Sequence, residues 1–167
     1  MVYFVGAGTG AADLITVRGM RLLQKADVII YAGSLVNPQL LDYAKKSCEI
    51  YNSAKMTLDE VITVMKAAEA DGKMTVRLHT GEPSIYGAVR EQMDELDALL
   101  IPYESCPGVS ACFGAAASLN IDRLFSYWFS LSNSHNISLS IFLNCFFLNY
   151  YKDILFYYKC LHNDLSK

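Results

Sequence analysis

The stretch VYFVGAGTGAADLITVRG, residues 2–19, runs from a short apolar strand through a glycine-rich loop (Gly6, Gly8, Gly10) into the start of a helix. Glycines at that spacing let a backbone turn tightly and approach a ligand with no Cβ in the way. A strand that feeds such a loop and then a helix is the usual mouth of an α/β ligand site. Taken alone, Gly6-Ala7-Gly8-Thr9-Gly10-Ala11 fits the dinucleotide fingerprint G-x-G-x-x-[G/A]. That reading needs a carboxylate at the end of the second strand to hold the ribose hydroxyls. Here the second strand ends Ile30-Tyr31-Ala32-Gly33-Ser34, and Asp27 stands before it, at the wrong end. A nucleotide-dependent oxidoreductase is therefore disfavoured but stays as an alternative. A P-loop is excluded, since no GK[ST] follows.

Outward from this stretch the pattern is regular to about residue 121. After the strand at Val2–Val5, helix spacing runs through Val17, Met20, Leu23 and Ala26, and a second strand is expected at Val28–Tyr31. Asn37-Pro38 reads as a helix start, with Asn as N-cap and Pro in the first turn. A short third strand is expected at Glu49–Tyr51. Thr57-Leu58-Asp59-Glu60 is a capping box, opening a helix that should bury Leu58, Val61, Ile62, Met65 and Ala68 and stop at Gly72. A fourth strand at Met74–Leu78 precedes the loop HTGEPSIYG and a helix through Val89, Met93, Leu96 and Leu100. A fifth at Pro102–Ser105 precedes PGVSA and a small-residue helix. This alternation predicts an α/β domain with a five-stranded, mostly parallel sheet and helices on both faces.

The composition fits a globular chain with a formal net charge of -3, without the basic excess of a nucleic-acid-binding surface. The five cysteines (Cys48, Cys106, Cys112, Cys145, Cys160) show neither CxxC nor zinc-ligand spacing, so no metal site is expected and a reduced, cytoplasmic setting is. The N-terminus enters a strand directly and carries no signal-peptide pattern. Ile137–Tyr151 is apolar in places, yet it holds Asn144 and Asn149 and falls short of the roughly 18–20 apolar residues of a membrane span.

The character changes near Leu124. Residues 124–167 contain no Gly, Ala, Val, Pro, Glu, Thr, Met, Gln or Arg, and hold six of the eight Phe. Without Gly or Pro an α/β chain cannot easily turn. The expected organisation is an α/β domain over residues 1–121 and a divergent, aromatic-rich tail over 122–167.

Two further loops join the first. Arg77-Leu78-His79-Thr80-Gly81-Glu82-Pro83-Ser84-Ile85-Tyr86-Gly87 follows the fourth strand, and Pro107-Gly108-Val109-Ser110-Ala111 follows the fifth. In a parallel sheet, loops at the carboxyl ends of strands line one crevice. VGAGTGAADLITVRG, RLHTGEPSIYGAVREQ and PGVSA together resemble the tetrapyrrole methyltransferases of the cobalamin and sirohaem pathways. YAGSLVNPQLL and the HTGEPSIYGA context look most like the precorrin-4 C(11)-methyltransferase branch. The resemblance covers about residues 1–121. It implies an S-adenosylmethionine-dependent enzyme of two α/β domains, with the cofactor folded between them and a homodimeric assembly.

Carried over, the resemblance assigns cofactor contact to Gly81, Glu82 and Ile85 and to Ser110 and Ala111, with Thr9 and Tyr86 beside them. Thr9 stands where the family usually has proline, and Glu82 where it usually has aspartate. Gly8, Gly10, Asp13, Arg18 and His79 are the candidates for the tetrapyrrole. A corrinoid precursor carries many carboxylates, which Arg or Lys binds well, and Arg18 lies just after the first loop. Methyl transfer from a sulfonium is an in-line displacement that needs alignment and exclusion of water rather than a triad or a metal.

Each residue has a plainer reading beside the functional one. Arg18 fits a solvated helix position, His79 a structural hydrogen-bonder, Glu82 a surface loop acid, and Asp13 a helix-start cap. Tyr86 fits a plug under the helix start, and Cys106 and Cys112 fit small buried apolar groups. At the level of the chain the alternative is an inactive remnant of the enzyme, since nothing after residue 121 matches the family's second domain.

Overall fold

The computed structural model of the chain describes residues 1–85, 88–118 and 120; the expectations for Tyr86, for Ile137–Tyr151 and for the tail lie outside them. Five strands, β1 (Val2–Gly6), β2 (Val28–Tyr31), β3 (Glu49–Asn52), β4 (Thr75–His79) and β5 (Tyr103–Cys106), form one sheet in the order β3-β2-β4-β1-β5. All four pairings are parallel, with Val2 opposite Thr75, Gly6 opposite His79 and Val5 opposite Cys106. Parallel strands need crossovers, here supplied by α1 (Val17–Lys25), α2 (Leu58–Ala70), α3 (Arg90–Ala98) and a 3-10 helix at Pro38–Tyr43. A fourth helix, α4 (Ala111–Ser118), follows β5. The order places β4, β1 and β5 side by side, so the loops leaving their carboxyl ends are neighbours.

Strict alternation along the strands divides the core. Val2, Phe4, Val28 and Ile30 face α2 and α3, where Val61, Ile62, Met65 and Leu96 cover them. Val5, Ile29, Val76 and Leu78 face α1 and the Pro38–Tyr43 turn, under Leu23, Ala26 and Leu40. Burial on both faces makes the central strands read as short continuous apolar runs. β4 departs from this: its residues toward α2 and α3 are Thr75, Arg77 and His79, all buried.

The helix ends follow local chemistry. Both bonds of the capping box are present: Glu60 N–H donates to Thr57 Oγ1 (3.3 Å) and Thr57 N–H to Glu60 Oε2 (2.7 Å). Val61, Ile62, Met65 and Ala68 are buried as expected, but Leu58, in the first turn, faces solvent. α2 closes with Lys73 N–H donating to Ala68 O (2.8 Å) and Gly72 in the left-handed region at φ +67°. α3 closes in the same way, with Ile101 N–H donating to Leu96 O (2.9 Å) and Leu100 N–H to Asp97 O (3.1 Å). There the left-handed residue is Leu100, at φ 56° and 90% exposed, so it leaves the apolar stripe that its spacing suggests. That conformation costs a non-glycine residue about 1–2 kcal/mol. Asn37 is an N-cap, its Oδ1 accepting from Gln39 N–H (3.0 Å), but the helix it opens is 3-10.

Candidate functional site

The loop after β1 is bound to the loop after β4 by a short antiparallel bridge. Ala7 N–H donates to His79 O (2.7 Å), Gly8 N–H to Gly81 O (3.3 Å) and Gly81 N–H to Gly8 O (3.0 Å). Gly81 adopts φ +58° to make this exchange. The loop after β5 packs directly onto both. A Cβ on Gly6 would lie 2.5 Å from Gly108 Cα and 2.5 Å from Gly81 O, both backbone atoms. The three loops therefore meet backbone to backbone, with no room for a side chain.

Glu82 fastens the same junction. Its Oε2 accepts from Gly108 N–H (2.7 Å) and its Oε1 from Ser84 N–H (3.0 Å), so one half-buried carboxylate joins the fourth-strand loop to the fifth. Ser110 is buried and starts α4, its Oγ accepting from Cys112 N–H (3.3 Å) and its carbonyl from Phe113 N–H (3.0 Å) and Gly114 N–H (3.1 Å). Thr9 packs its methyl group against Gly114, where a Cβ would fall 2.6 Å from Thr9 Cβ. Packing against α4 thus restrains the loop at the position where a proline ring would act through φ. Asn37 adds a fourth element, its Nδ2 donating to Gly10 O (2.7 Å).

The structure thus brings Gly8, Thr9, Gly10, Gly81, Glu82, Ser110 and Ala111 into one junction at the carboxyl edge of the sheet. Leu14, Leu35, Ile85 and Phe113 lie on the segments that follow β1, β2, β4 and β5, and each is 41–51% exposed. Asp13 is exposed in the 3-10 turn Ala12–Leu14 and does not cap α1, whose N-cap is Thr16 (Gly19 N–H to Oγ1, 3.1 Å). Arg18 is not collected by the junction. It lies on the solvent face of α1 and pairs with Glu104 at 3.8 Å, both side chains being well exposed, a contact worth about 0–1 kcal/mol. Cys106 is buried and Cys112 half-buried. Asp27 is structural, its Oδ2 accepting from Met74 N–H (2.8 Å), and its pairing with Lys45 holds its carboxyl below the usual range.

His79 lies in the interior, 5% exposed, with its ring stacked on Phe4 and its Nε2 without a hydrogen-bond partner. Burial, with the nearby Arg77 charge, pushes its pKa down to about 3. An unfolded histidine titrates at about 6.5, so the unfolded chain binds the extra proton between those values. The associated stability is complete above about pH 6.5 and is lost as pH falls toward about 3. At pH 5 the loss from this group is about 2 kcal/mol. Urea unfolding at pH 7.5 and pH 5 is expected to show a larger drop for the wild type than for His79→Leu. Equal drops would mean that His79 does not carry it.

The sequence pattern of the Tetrapyrrole (Corrin/Porphyrin) Methylases matches residues 1–123. The chain belongs to the tetrapyrrole methylase family. It is 58% identical over 121 residues to the cobalt-precorrin-4 C(11)-methyltransferase of Methanocaldococcus jannaschii, covering 72% of this chain and 47% of that protein. It is 51% identical over 118 residues to the precorrin-4 C(11)-methyltransferase of Mycobacterium tuberculosis, covering 71% and 47%. The X-ray structure of a cobalt precorrin-4 methyltransferase superposes with a TM-score of 0.70 at 45% identity, covering 71% of this chain and 50% of that one. A Thermus thermophilus uroporphyrin-III C-methyltransferase, solved with S-adenosyl homocysteine, superposes with a TM-score of 0.59 at 30% identity, covering 69% and 47%. This tetrapyrrole methylase chain spans about half the length of the curated relatives it matches. Among its described residues no helix is long and apolar enough to cross a membrane.

Sequence reading passed over Asn37 as a strut of the first loop, Gly108 as the tightest backbone contact, and Gly114 as the seat of Thr9. Each role depends on a partner distant in sequence, and only the glycine in PGVSA carried a local signal.

Proposed function

We propose that this chain supplies the S-adenosylmethionine-binding half of a C-methyltransferase that acts at C-11 of precorrin-4 or cobalt-precorrin-4. The observation that carries the reading is the meeting of three glycine-bearing loops on one sheet edge, in a chain 45–58% identical to relatives of that name. The glycines support the reading through the packing they permit: a Cβ at Gly6 or Gly108 would strike the backbone of a neighbouring loop, so the three loops can stand this close only with glycine there. Gly81, Glu82 and Ile85 would hold the cofactor together with Thr9, Ser110 and Ala111, and Tyr86 joins them on the sequence resemblance alone. When bound, it supplies a methyl group already activated by a positively charged sulfur. The protein then has to align that methyl with the acceptor carbon and keep water out. Gly8, Gly10 and the exposed Asp13 are the residues of the first loop that would meet the tetrapyrrole. Its many carboxylates would draw on the α1 cations, among them Arg18, only through movement of exposed side chains.

A second reading keeps the lineage without turnover, because the matched region covers only about half of each relative. Calorimetric titration of the purified chain with S-adenosylmethionine and S-adenosylhomocysteine tests the binding claim. Saturable micromolar binding is the expected result. Methyl transfer to precorrin-4 in the same preparation supports the enzyme, and binding without transfer supports the second reading. No binding of either compound, or saturable binding of NADH instead, would overturn the proposal.

A further inference from the structure

Arg77 is a buried cation, 7% exposed, on the central strand β4. It meets two neutral acceptors: its Nη1 donates to Ile30 O of β2 (3.1 Å) and its Nε to Gln92 Oε1 of α3 (2.9 Å). Burial lowers its pKa to about 10, so it stays charged at neutral pH. Gln92 is itself buried, 6% exposed, and turns its other end outward: Nε2 donates to Ala88 O (2.9 Å). Ala88 lies at the exit of the fourth-strand loop and holds φ 46°, in the left-handed region that a side chain disfavours. A continuous chain of hydrogen bonds therefore runs from the backbone of β2, through Arg77 and Gln92, to a strained residue at the end of that loop.

Strained backbone persists only where its surroundings over-determine it. The entry of the loop is fixed by the Gly8–Gly81 bridge and by Glu82. Its exit has Gln92, whose amide can satisfy Arg77 and Ala88 at once because it carries both an acceptor and donors. Neither residue faces the ligand edge, and a core position needs no polar side chain, so their presence there calls for a role.

We infer that Arg77 and Gln92 are positioning residues of the fourth-strand loop: they fix its exit at Ala88, and so bear on the ligand edge that the entry of the same loop, at Gly81 and Glu82, helps to form. The consequence for ligand affinity rests on the proposed cofactor reading; the consequence for the loop does not. Gln92→Glu separates the two ends of the relay. A glutamate still accepts from Arg77 Nε–H but has no N–H to give Ala88 O, so Arg77 stays satisfied while the last link is cut.

The experiment uses the full chain with two readouts. Hydrogen exchange on a peptide covering residues 80–89, without ligand, is expected to speed up about tenfold in Gln92→Glu, with an unchanged thermal midpoint. The dissociation constant for S-adenosylhomocysteine is expected to rise about tenfold. If Gln92→Glu does not fold, Gln92→Met takes its place; it is similar in length and cuts both links of the relay, so faster exchange is again the expected result. Unchanged exchange in a folded variant overturns the inference. Faster exchange with no ligand binding even in the wild type upholds the positioning role and instead removes the cofactor reading. Faster exchange with unchanged affinity confines the role to the loop and overturns its link to the ligand edge.

Discussion

Gly108→Ala is expected to destabilise the chain by about 3 kcal/mol or more and to abolish ligand binding at the junction. The added Cβ would overlap Gly81 O and lie 2.7 Å from Gly6 Cα. Neither atom belongs to a side chain that can swing away. Gly6 is paired in register with His79 inside the sheet, and Gly81 O already accepts from Gly8 N–H. The fifth-strand loop would therefore have to retreat. Retreat would pull Gly108 N–H from Glu82 Oε2 and lift α4 away from Thr9, so one methyl group undoes contacts made by three loops. Gly72→Ala is the matched control. Its Cβ would meet nothing within 4 Å, and only its φ of +67° opposes a side chain, which costs about 1–2 kcal/mol. Urea unfolding of both variants, with S-adenosylhomocysteine titration, separates crowding from backbone conformation. A Gly108→Ala variant no less stable than Gly72→Ala, with ligand affinity intact, would show that the loops yield to the added methyl group and would overturn the prediction.

The contrast between those two glycines also marks what a single sequence discloses. Gly72 was legible because a helix ending on a left-handed glycine is a local event, as is the capping box at Thr57 and Glu60. The same closure at Leu100 was not, since leucine advertises a continuing apolar stripe and the chain turns regardless. The fold class was legible because strands buried on both faces leave short apolar runs between amphipathic helices. That β4, β1 and β5 lie side by side was not, although it decides which loops can touch. At the site, the three loops were visible as motifs, and their shared edge followed from parallel strands. The work of individual side chains was less visible. Arg18 looked well placed by its nearness in sequence to the first loop, yet in the first turn of α1 it faces solvent and Glu104. His79 sits at the end of a strand and still points inward, because alternation along β4 puts it on the Arg77 side. Arg77 and Gln92 gave no signal, since their meaning lies in a relay across three separate elements.

Glu82 carries the second large effect. Its two carboxylate oxygens serve different loops, Oε2 receiving Gly108 N–H and Oε1 Ser84 N–H. A bond from a backbone N–H to an ionised carboxylate is shorter and stronger than one between neutral groups, as the 2.7 Å separation from Gly108 illustrates. Glu82→Ala removes both acceptors and leaves Gly108 N–H partly buried beside Gly6 and Gly81, where packing limits the access of water. The expected loss is about 2–3 kcal/mol of stability. A drop in S-adenosylhomocysteine affinity of at least about tenfold should accompany it, as expected when donors lose their fixed positions. Glu82→Gln sorts charge from geometry: its amide keeps one acceptor oxygen but turns an NH2 group toward the other N–H, so it should fall between wild type and alanine. Measured unfolding and titration that place Glu82→Ala beside the wild type would assign the junction to glycine packing alone. A Glu82→Gln variant as weak as alanine would show that both acceptor positions are needed together, which is the behaviour of a clamp rather than of two independent bonds.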